Sequence, residues 1–260
     1  MRRLIWILLA VVLLGTAANA ADEDKFEILI GTHLPLTGMM AAVGKEQQWA
    51  YAEAVRDINN QGGIFVSKYN KFLPVRLLVI DDETNPAVAA AAVESLITQN
   101  KVDVILSGHT AAFGVIPGCV IAEKHQIYYH ATGCYADLWL EHKFKYSTLY
   151  FYDLRQGAEI PFKIWATMPE NTSPQKLGIV AEDTFDARIM MDTLRIKAFE
   201  KGHTVISEEY WVPQTTDYGG IIDNLQTSGV DSLVIMGTTG ACIKLIGQIR
   251  ARNLPLKYSS

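Results

Sequence analysis

The sequence has few cysteines, no basic clusters and no apolar run long enough to cross a bilayer, and each shortage removes a class of protein. Cys119, Cys134 and Cys242 are the only cysteines in 260 residues. They allow at most one intrachain bridge, so the chain is not a disulfide-framed scaffold. Lys and Arg number 23 against 28 Asp and Glu, a net charge of −5. A nucleic-acid binder needs clustered cations for its phosphate contacts, so that role is excluded. The apolar run Leu4–Leu14 spans 11 residues, whereas a membrane-crossing helix needs about 20. Nucleotide chemistry also lacks its motifs. Gly38–Glu46 imitates a P-loop but has five residues between its glycines and Glu46 where a hydroxyl should hold magnesium. There is no G-x-S-x-G nucleophile elbow and no H-E-x-x-H zinc pair. What remains is an ordinary folded composition, 49% hydrophobic and 20% charged, long enough for one or two domains with sizeable cores.

Residues 1–20 have the layout of a secretory signal. Arg2 and Arg3 precede the apolar run, Gly15 ends it, and Ala18-Asn19-Ala20 supplies small residues for cleavage after Ala20. No cysteine follows for lipid attachment. Removing Arg2 and Arg3 takes the net charge from −5 to −7. The expected product is an acidic protein, free in a periplasm.

After residue 20 the hydrophobic period switches repeatedly between strand and helix. Strands are predicted at Phe26–Leu34, Val75–Ile80, Val102–Leu106, Ile127–Ala131, Leu177–Ala181, Thr204–Tyr210 and Ser232–Met236. Between them, helical spacing covers Gly44–Asn60, a segment opened by Asn85-Pro86, Phe113–Lys124, and residues 185–201, 217–228 and 240–252. Such alternation specifies an α/β protein with parallel sheets covered on both faces. Val102–Thr110 also echoes Val230–Thr239, an apolar strand ending in a Gly/Thr loop each time. Two similar lobes follow, 21–145 and 146–260, joined near Phe144–Ser147.

Doubly wound sheets bind ligands at the carboxyl ends of their strands. The loops there are Leu34–Gly44, Ser107–Gly114, Ala131–Tyr135, Tyr152–Gln156, Glu182–Asp186 and Gly237–Ala241, and they carry Phe113, Tyr135, Tyr152 and Phe185. Aromatic walls with a few polar groups suit a small-molecule pocket. Ser107–Gly114 leads into a helix amino end, where unpaired N–H groups favour a carboxylate. His33 and His109 stand at strand ends without metal-ligand spacing and read as polar loop histidines. Asp81-Asp82-Glu83 reads as turn and cap chemistry. Neither a cofactor nor a metal is implied.

The runs Leu34-Pro35-Leu36-Thr37-Gly38, then Gly44, Asp57-Ile58-Asn59-x-x-Gly62-Gly63-Ile64 and Asp81-Asp82-x-x-x-Pro86 resemble the branched-chain amino-acid (Leu/Ile/Val) type of periplasmic binding protein. The resemblance covers nearly all of 26–260. It implies two lobes joined by a hinge, closing on a small solute as the monomeric, non-enzymatic receptor of an ABC importer, with a membrane permease and ATPase as partners. A ligand-sensing domain of a receptor or regulator is the alternative with the same fold. Position by position, the family's ligand-contacting Ser and Thr fall on Ala112 and Tyr135, and the backbone acceptor on Gly133. The covering aromatic falls on Phe185 and the next contact loop on Thr238 and Thr239. The binding set implied is His109, Thr110, Ala111, Ala112, Phe113, Ala131, Gly133, Tyr135, Tyr152, Phe185, Thr238 and Thr239. With two hydroxyls replaced, the expected solute shifts from plain leucine towards a larger carboxylate or amide, aromatic ones included. The family disulfide falls on Thr84 and Ala111 and is absent, with a Cys119–Cys134 bridge as its candidate replacement. Members of this family run on by roughly a hundred residues beyond the strand expected at Leu256–Ser260, so the resemblance implies a C-terminally incomplete chain.

Overall fold

The first apolar run after residue 20 forms β1 (Ile28–Leu34), and from there the chain alternates strand and helix to its last residues. The computed structural model describes residues 25–108, 112–170 and 172–260. They divide into two units: the chain through Cys134 with His142–Tyr150, and Tyr135–Glu141 with Phe151–Ser260.

The first unit continues with α1 (Ala41–Asn60), a short hairpin of β2 (Ile64–Val66) and β3 (Lys71–Leu73), and β4 (Val75–Asp81). Then come α2 (Pro86–Thr98), β5 (Val104–Ser107), α3 (Ala112–His125), β6 (Tyr129–Ala131) and β7 (Ser147–Leu149). Its five-stranded sheet has the order β4-β1-β5-β6-β7, every neighbouring pair parallel. Local chemistry sets the elements. The Asn85 side chain accepts the Ala87 and Val88 amides at 2.9 and 3.3 Å ahead of Pro86, so α2 starts where the sequence predicts. It buries Ala89, Ala92, Val93, Leu96 and Ile97.

The second unit holds α4 (Ala136–Leu140), α5 (Leu154–Trp165), β8 (Lys176–Glu182), α6 (Phe185–Glu200), β9 (Thr204–Trp211), α7 (Gly219–Ser228), β10 (Ser232–Met236), α8 (Thr239–Ala251) and β11 (Tyr258–Ser259). Its parallel sheet has the order β11-β10-β8-β9. Strand β8 shows the period of two. Leu177, Ile179 and Ala181 pack with Phe162, Trp165, Met191 and Leu194, whereas Val180 packs with Trp211, Ile222, Leu225 and Leu245. Both faces are apolar, as a parallel sheet requires.

The echo between Val102-Asp103 and Val230-Asp231 is structural. The Asp103 carboxylate accepts the Leu29 amide at 2.8 Å and the Asp103 amide donates to the Leu29 carbonyl. Asp231 does the same for Lys176, accepting its amide at 2.8 Å and donating to its carbonyl. Each aspartate thus fastens the amino end of one strand to its neighbour.

The lobe boundary expected at 145/146 lies elsewhere. β7 pairs with β6 in register from Tyr129 to Ala131, and the Tyr150 amide donates to the Ala131 carbonyl. Residues 142–150 therefore belong with the first sheet. Residues 135–141 go with the second unit, held by Ala136 N–H to the Tyr152 carbonyl and Leu154 N–H to the Asp137 carboxylate. The chain crosses between the units and back before settling in the second. The sequence reading also passes over β2, β3, α4, β7 and α5.

Candidate functional site

In the first unit the carboxyl ends of β1, β4, β5 and β6 carry a connected set of polar groups. Asp81, last in β4, accepts the Leu36 and Thr37 amides, the Thr37 hydroxyl at 2.8 Å and the Glu83 amide. Slight burial raises its carboxyl, but these hydrogen bonds outweigh that and hold it below the usual range. The loop after β1 is thereby tied to the loop after β4. Gly44 allows this loop to close, because a Cβ there would stand 2.1 Å from the Pro35 carbonyl oxygen.

Deeper in, His33 is fully buried in β1, not placed on a loop as the sequence suggested. Its Nδ1 lies 2.9 Å from the Asp82 carboxylate and its Nε2 lies 2.7 Å from the Tyr129 hydroxyl. The Ser107 hydroxyl lies 3.2 Å from Thr132 Oγ1. Burial, with the Cys119 thiol nearby, raises the Tyr129 phenol well above its ordinary value, so it stays protonated at neutral pH. At the outer end, the Thr132 amide donates to Ser107 Oγ at 2.8 Å, while the Thr132 and Tyr51 hydroxyls both donate to the Ser107 carbonyl, at 2.9 and 2.8 Å. Thr132 and Tyr51 are half-buried.

In the second unit the rings of Tyr135, Phe151 and Tyr152 form one aromatic group, with centroids 4.6–5.6 Å apart. Burial first, then the neighbouring Tyr152 and the Asp186 carboxylate, raise the Tyr135 phenol and keep it neutral. Phe185 opens α6 behind the Thr184 cap and is 70% exposed. Glu182, last in β8 and 2% exposed, accepts the Thr238 amide at 2.7 Å and fixes the start of α8. Thr238 is half-buried and Thr239 exposed.

The expected binding residues thus fall into two groups. Ala112, Phe113, Ala131 and Gly133 stand at the carboxyl edge of the first sheet, with Phe113 42% exposed and the other three buried. Tyr135, Tyr152, Phe185, Thr238 and Thr239 belong to the second unit, where only the two tyrosines are seen in ring contact. His109, Thr110 and Ala111 lie outside the described residues. Sequence reasoning missed Tyr51, Ser107, Thr132 and the buried His33–Tyr129 pair. The available signal was a polar residue ending each of two apolar strands, His33 near the end of β1 and Ser107 at the end of β5.

The expected Cys119–Cys134 bridge is not formed; both residues are buried thiols. Cys119 sits beside the Tyr129 phenol at the amino end of β6, whereas Cys134 follows the carboxyl end of that strand. A bridge needs Cα atoms within about 7 Å. Among the described residues no group of three or more His, Cys, Asp or Glu side chains is placed to hold a metal. No helix among them is long and apolar enough to cross a membrane.

Comparison with known proteins fits this geometry. The family model described as periplasmic binding protein matches residues 27–259. A Leu/Ile/Val-binding protein homologue of Brucella suis is 26% identical over 243 residues, covering 92% of this chain and 57% of its own length. The branched-chain amino acid transporter substrate-binding protein LivJ of Streptococcus pneumoniae, solved with isoleucine, superposes with a TM-score of 0.75 at 20% identity, over 89% of this chain and 63% of that one. A solute-binding protein of an ABC transporter from Rhodopseudomonas palustris, solved with 3,4-dihydroxybenzoic acid, gives 0.74 at 15% identity, over 90% and 61%. This chain therefore spans about three fifths of the length of these relatives. Solute binding outside the cytoplasm, not catalysis, characterises the group to which the matched sequence and the two parallel α/β units assign it: the chain belongs to the periplasmic binding protein family, of the type I, branched-chain amino-acid kind.

Proposed function

We propose that this chain is the extracytoplasmic solute-capturing component of an ABC importer, exported by residues 1–20 with cleavage after Ala20 and working as a monomer in the periplasm with a permease and an ATPase. Its solute is a small amino acid or a related carboxylate or amide, aromatic ones included, held by closure of the two lobes about their hinge. The observation that carries this reading is the first unit's carboxyl edge. There the amino end of α3, which Ala112 and Phe113 open, and the cluster of Tyr51, Ser107 and Thr132 supply polar groups. A helix amino end suits a carboxylate. The aromatic group of Tyr135, Phe151 and Tyr152 supports a solute with an apolar or ring-bearing body. One relative was solved with isoleucine and another with 3,4-dihydroxybenzoic acid, which sets the range of solutes to try.

Calorimetric titration with isoleucine, leucine, benzoate, 3,4-dihydroxybenzoate and benzamide tests the reading. One-to-one binding of at least one of them, without turnover, is the expected result. Tyr135→Ala is expected to weaken that binding while leaving the thermal midpoint within a few degrees. Absence of binding by all five solutes contradicts the solute range proposed here.

A further inference from the structure

The hairpin of β2 and β3 buries little of what it is made of. Of its six strand residues only Leu73 is buried. Phe65 is 50% exposed and Phe72 61%, and Phe26, just ahead of β1, is 74% exposed. Phe65 and Phe72 are register partners with ring centroids 5.4 Å apart. Partners across an antiparallel ladder share a face, and neighbours along a strand alternate. Leu73 points into the core, so Phe72 and Phe65 point away from it. Lys71 lies on the face of Leu73 and sets its ammonium 5.4 Å from the Phe26 ring centroid and 5.8 Å from that of Tyr69. β3 therefore has rings on both of its sides. Its base is fixed, because Gly63 has φ +94° and a Cβ there would stand 2.2 Å from the Leu73 carbonyl oxygen.

A protein partner would cover one face of such a hairpin, whereas a bilayer takes in a wedge from every side. The boundary between lipid headgroups and acyl chains is also where aromatic rings and long-stemmed lysines gather. From Ile58 to Ile80 the chain has no Asp or Glu, and its cations are Lys68, Lys71 and Arg76. That local sign is opposite to the net −5 of the whole chain and suits lipid phosphate. The chain ahead of the hairpin leads to a membrane as well. The apolar run of the export segment ends at Leu14, and the described chain starts at Lys25, next to Phe26. The connection between Leu14 and Lys25 spans at most about 40 Å, so a bilayer that holds the run also holds the hairpin close by. Asp22, Glu23 and Asp24 lie on that connection and offset the lysines, which leaves ring burial to carry the contact.

We propose that the β2–β3 hairpin is a membrane-contact element: Phe26, Phe65 and Phe72 enter the headgroup–acyl boundary of a phospholipid bilayer, and Lys71 meets lipid phosphate. The hairpin runs into Val75, the first residue of β4, and so lies at the amino edge of the first sheet. The candidate binding loops leave from the carboxyl edge of that sheet. Contact with lipid therefore leaves them open to solvent while keeping an exported chain at the membrane surface. The inference does not depend on which solute the chain takes.

Sedimentation of the exported chain with vesicles of phosphatidylethanolamine and phosphatidylglycerol tests this. The wild type is expected to sediment with the vesicles. Phe65→Ser combined with Phe72→Ser is expected to lower the partition coefficient by about tenfold or more, with the thermal midpoint unchanged within a few degrees. Phe26→Ser, outside the hairpin, gives a second reading should the paired substitution disturb the strands, and is expected to lower the coefficient about 3–10-fold. Absence of vesicle binding by the wild type overturns the proposal, as does binding that the ring substitutions leave within twofold of wild type. A concentration-dependent dimer that the same substitutions abolish, without vesicle binding, also overturns it and assigns the rings to a second copy of the chain.

Discussion

Gly178, in the middle of β8, offers a sharp test of how tightly the second unit is packed. A Cβ built there stands 3.0 Å from Val230 Cγ1 and 3.1 Å from both Leu225 Cδ2 and Leu233 Cδ1. Those three side chains are 0–3% exposed, so none can swing into solvent. Gly178→Ala removes backbone freedom from the unfolded chain, a gain of about 0.4–1 kcal/mol. Crowding three fixed side chains costs about 1–3 kcal/mol. The crowding term is the larger, and a net destabilisation of about 1–2 kcal/mol is expected from these ranges. Urea unfolding followed by the fluorescence of Trp165 and Trp211, both in this unit, measures it. The decisive step is the cycle with Val230→Ala. That substitution alone leaves a cavity, which the new methyl of Gly178→Ala partly fills. The double variant should be more stable than the sum of the singles by at least about 0.5 kcal/mol. Strict additivity, or a single variant more stable than wild type, refutes the packing described here.

Three further outcomes are expected. Burial lowers the His203 imidazole below its ordinary value, against the opposing pull of the Pro174 carbonyl and Asp231. Its contribution to stability is then full above the unfolded-state value and drains away as the pH falls from there through the lowered folded value. The urea midpoint should drop between pH 7.5 and 5 in the wild type and drop less in His203→Asn; equal slopes contradict this. Asp231→Ala removes the acceptor for the Gln175 and Lys176 amides and the partner of Lys257, and should cost about 1–3 kcal/mol by the same urea assay. Glu182→Ala frees the Thr238 amide, so hydrogen exchange at Thr238 should rise while exchange within β9 stays constant; unaltered Thr238 protection would dismiss this anchor.

Much of the fold was legible because buried parallel strands and capped helices announce themselves locally. β8, β10 and α2 depend on apolar runs and on the Asn85-Pro86 cap, all visible without tertiary context. β7 was not legible: its three residues, Ser147–Leu149, are a strand because β6 pairs with them. In α5, Leu154, Ala158, Phe162 and Trp165 keep helical spacing, but Pro161 stands among them and masks it. The loops of the candidate site could be found from strand ends alone. The roles of Tyr51 and Thr132 could not, since residues 56 and 25 positions from Ser107 meet it only after folding. His33 illustrates the same limit. Residue type suggests a surface group, and its position on a strand flanked by β4 and β5 buries it.

The braces made by Asp103 and Asp231 sit at the amino ends of their strands, where Asp103 binds Leu29 and Asp231 binds Lys176. The loops with candidate binding residues leave from the opposite ends of the same strands. Register is therefore set at one edge of each sheet, and the candidate binding loops leave from the other. Substitution in the candidate binding loops leaves the brace intact. A chain of this construction can share only a fifth of its residues with the pneumococcal protein and still superpose on it with a TM-score of 0.75. The division of labour along each strand separates the residues that hold its register from those that a solute is proposed to meet.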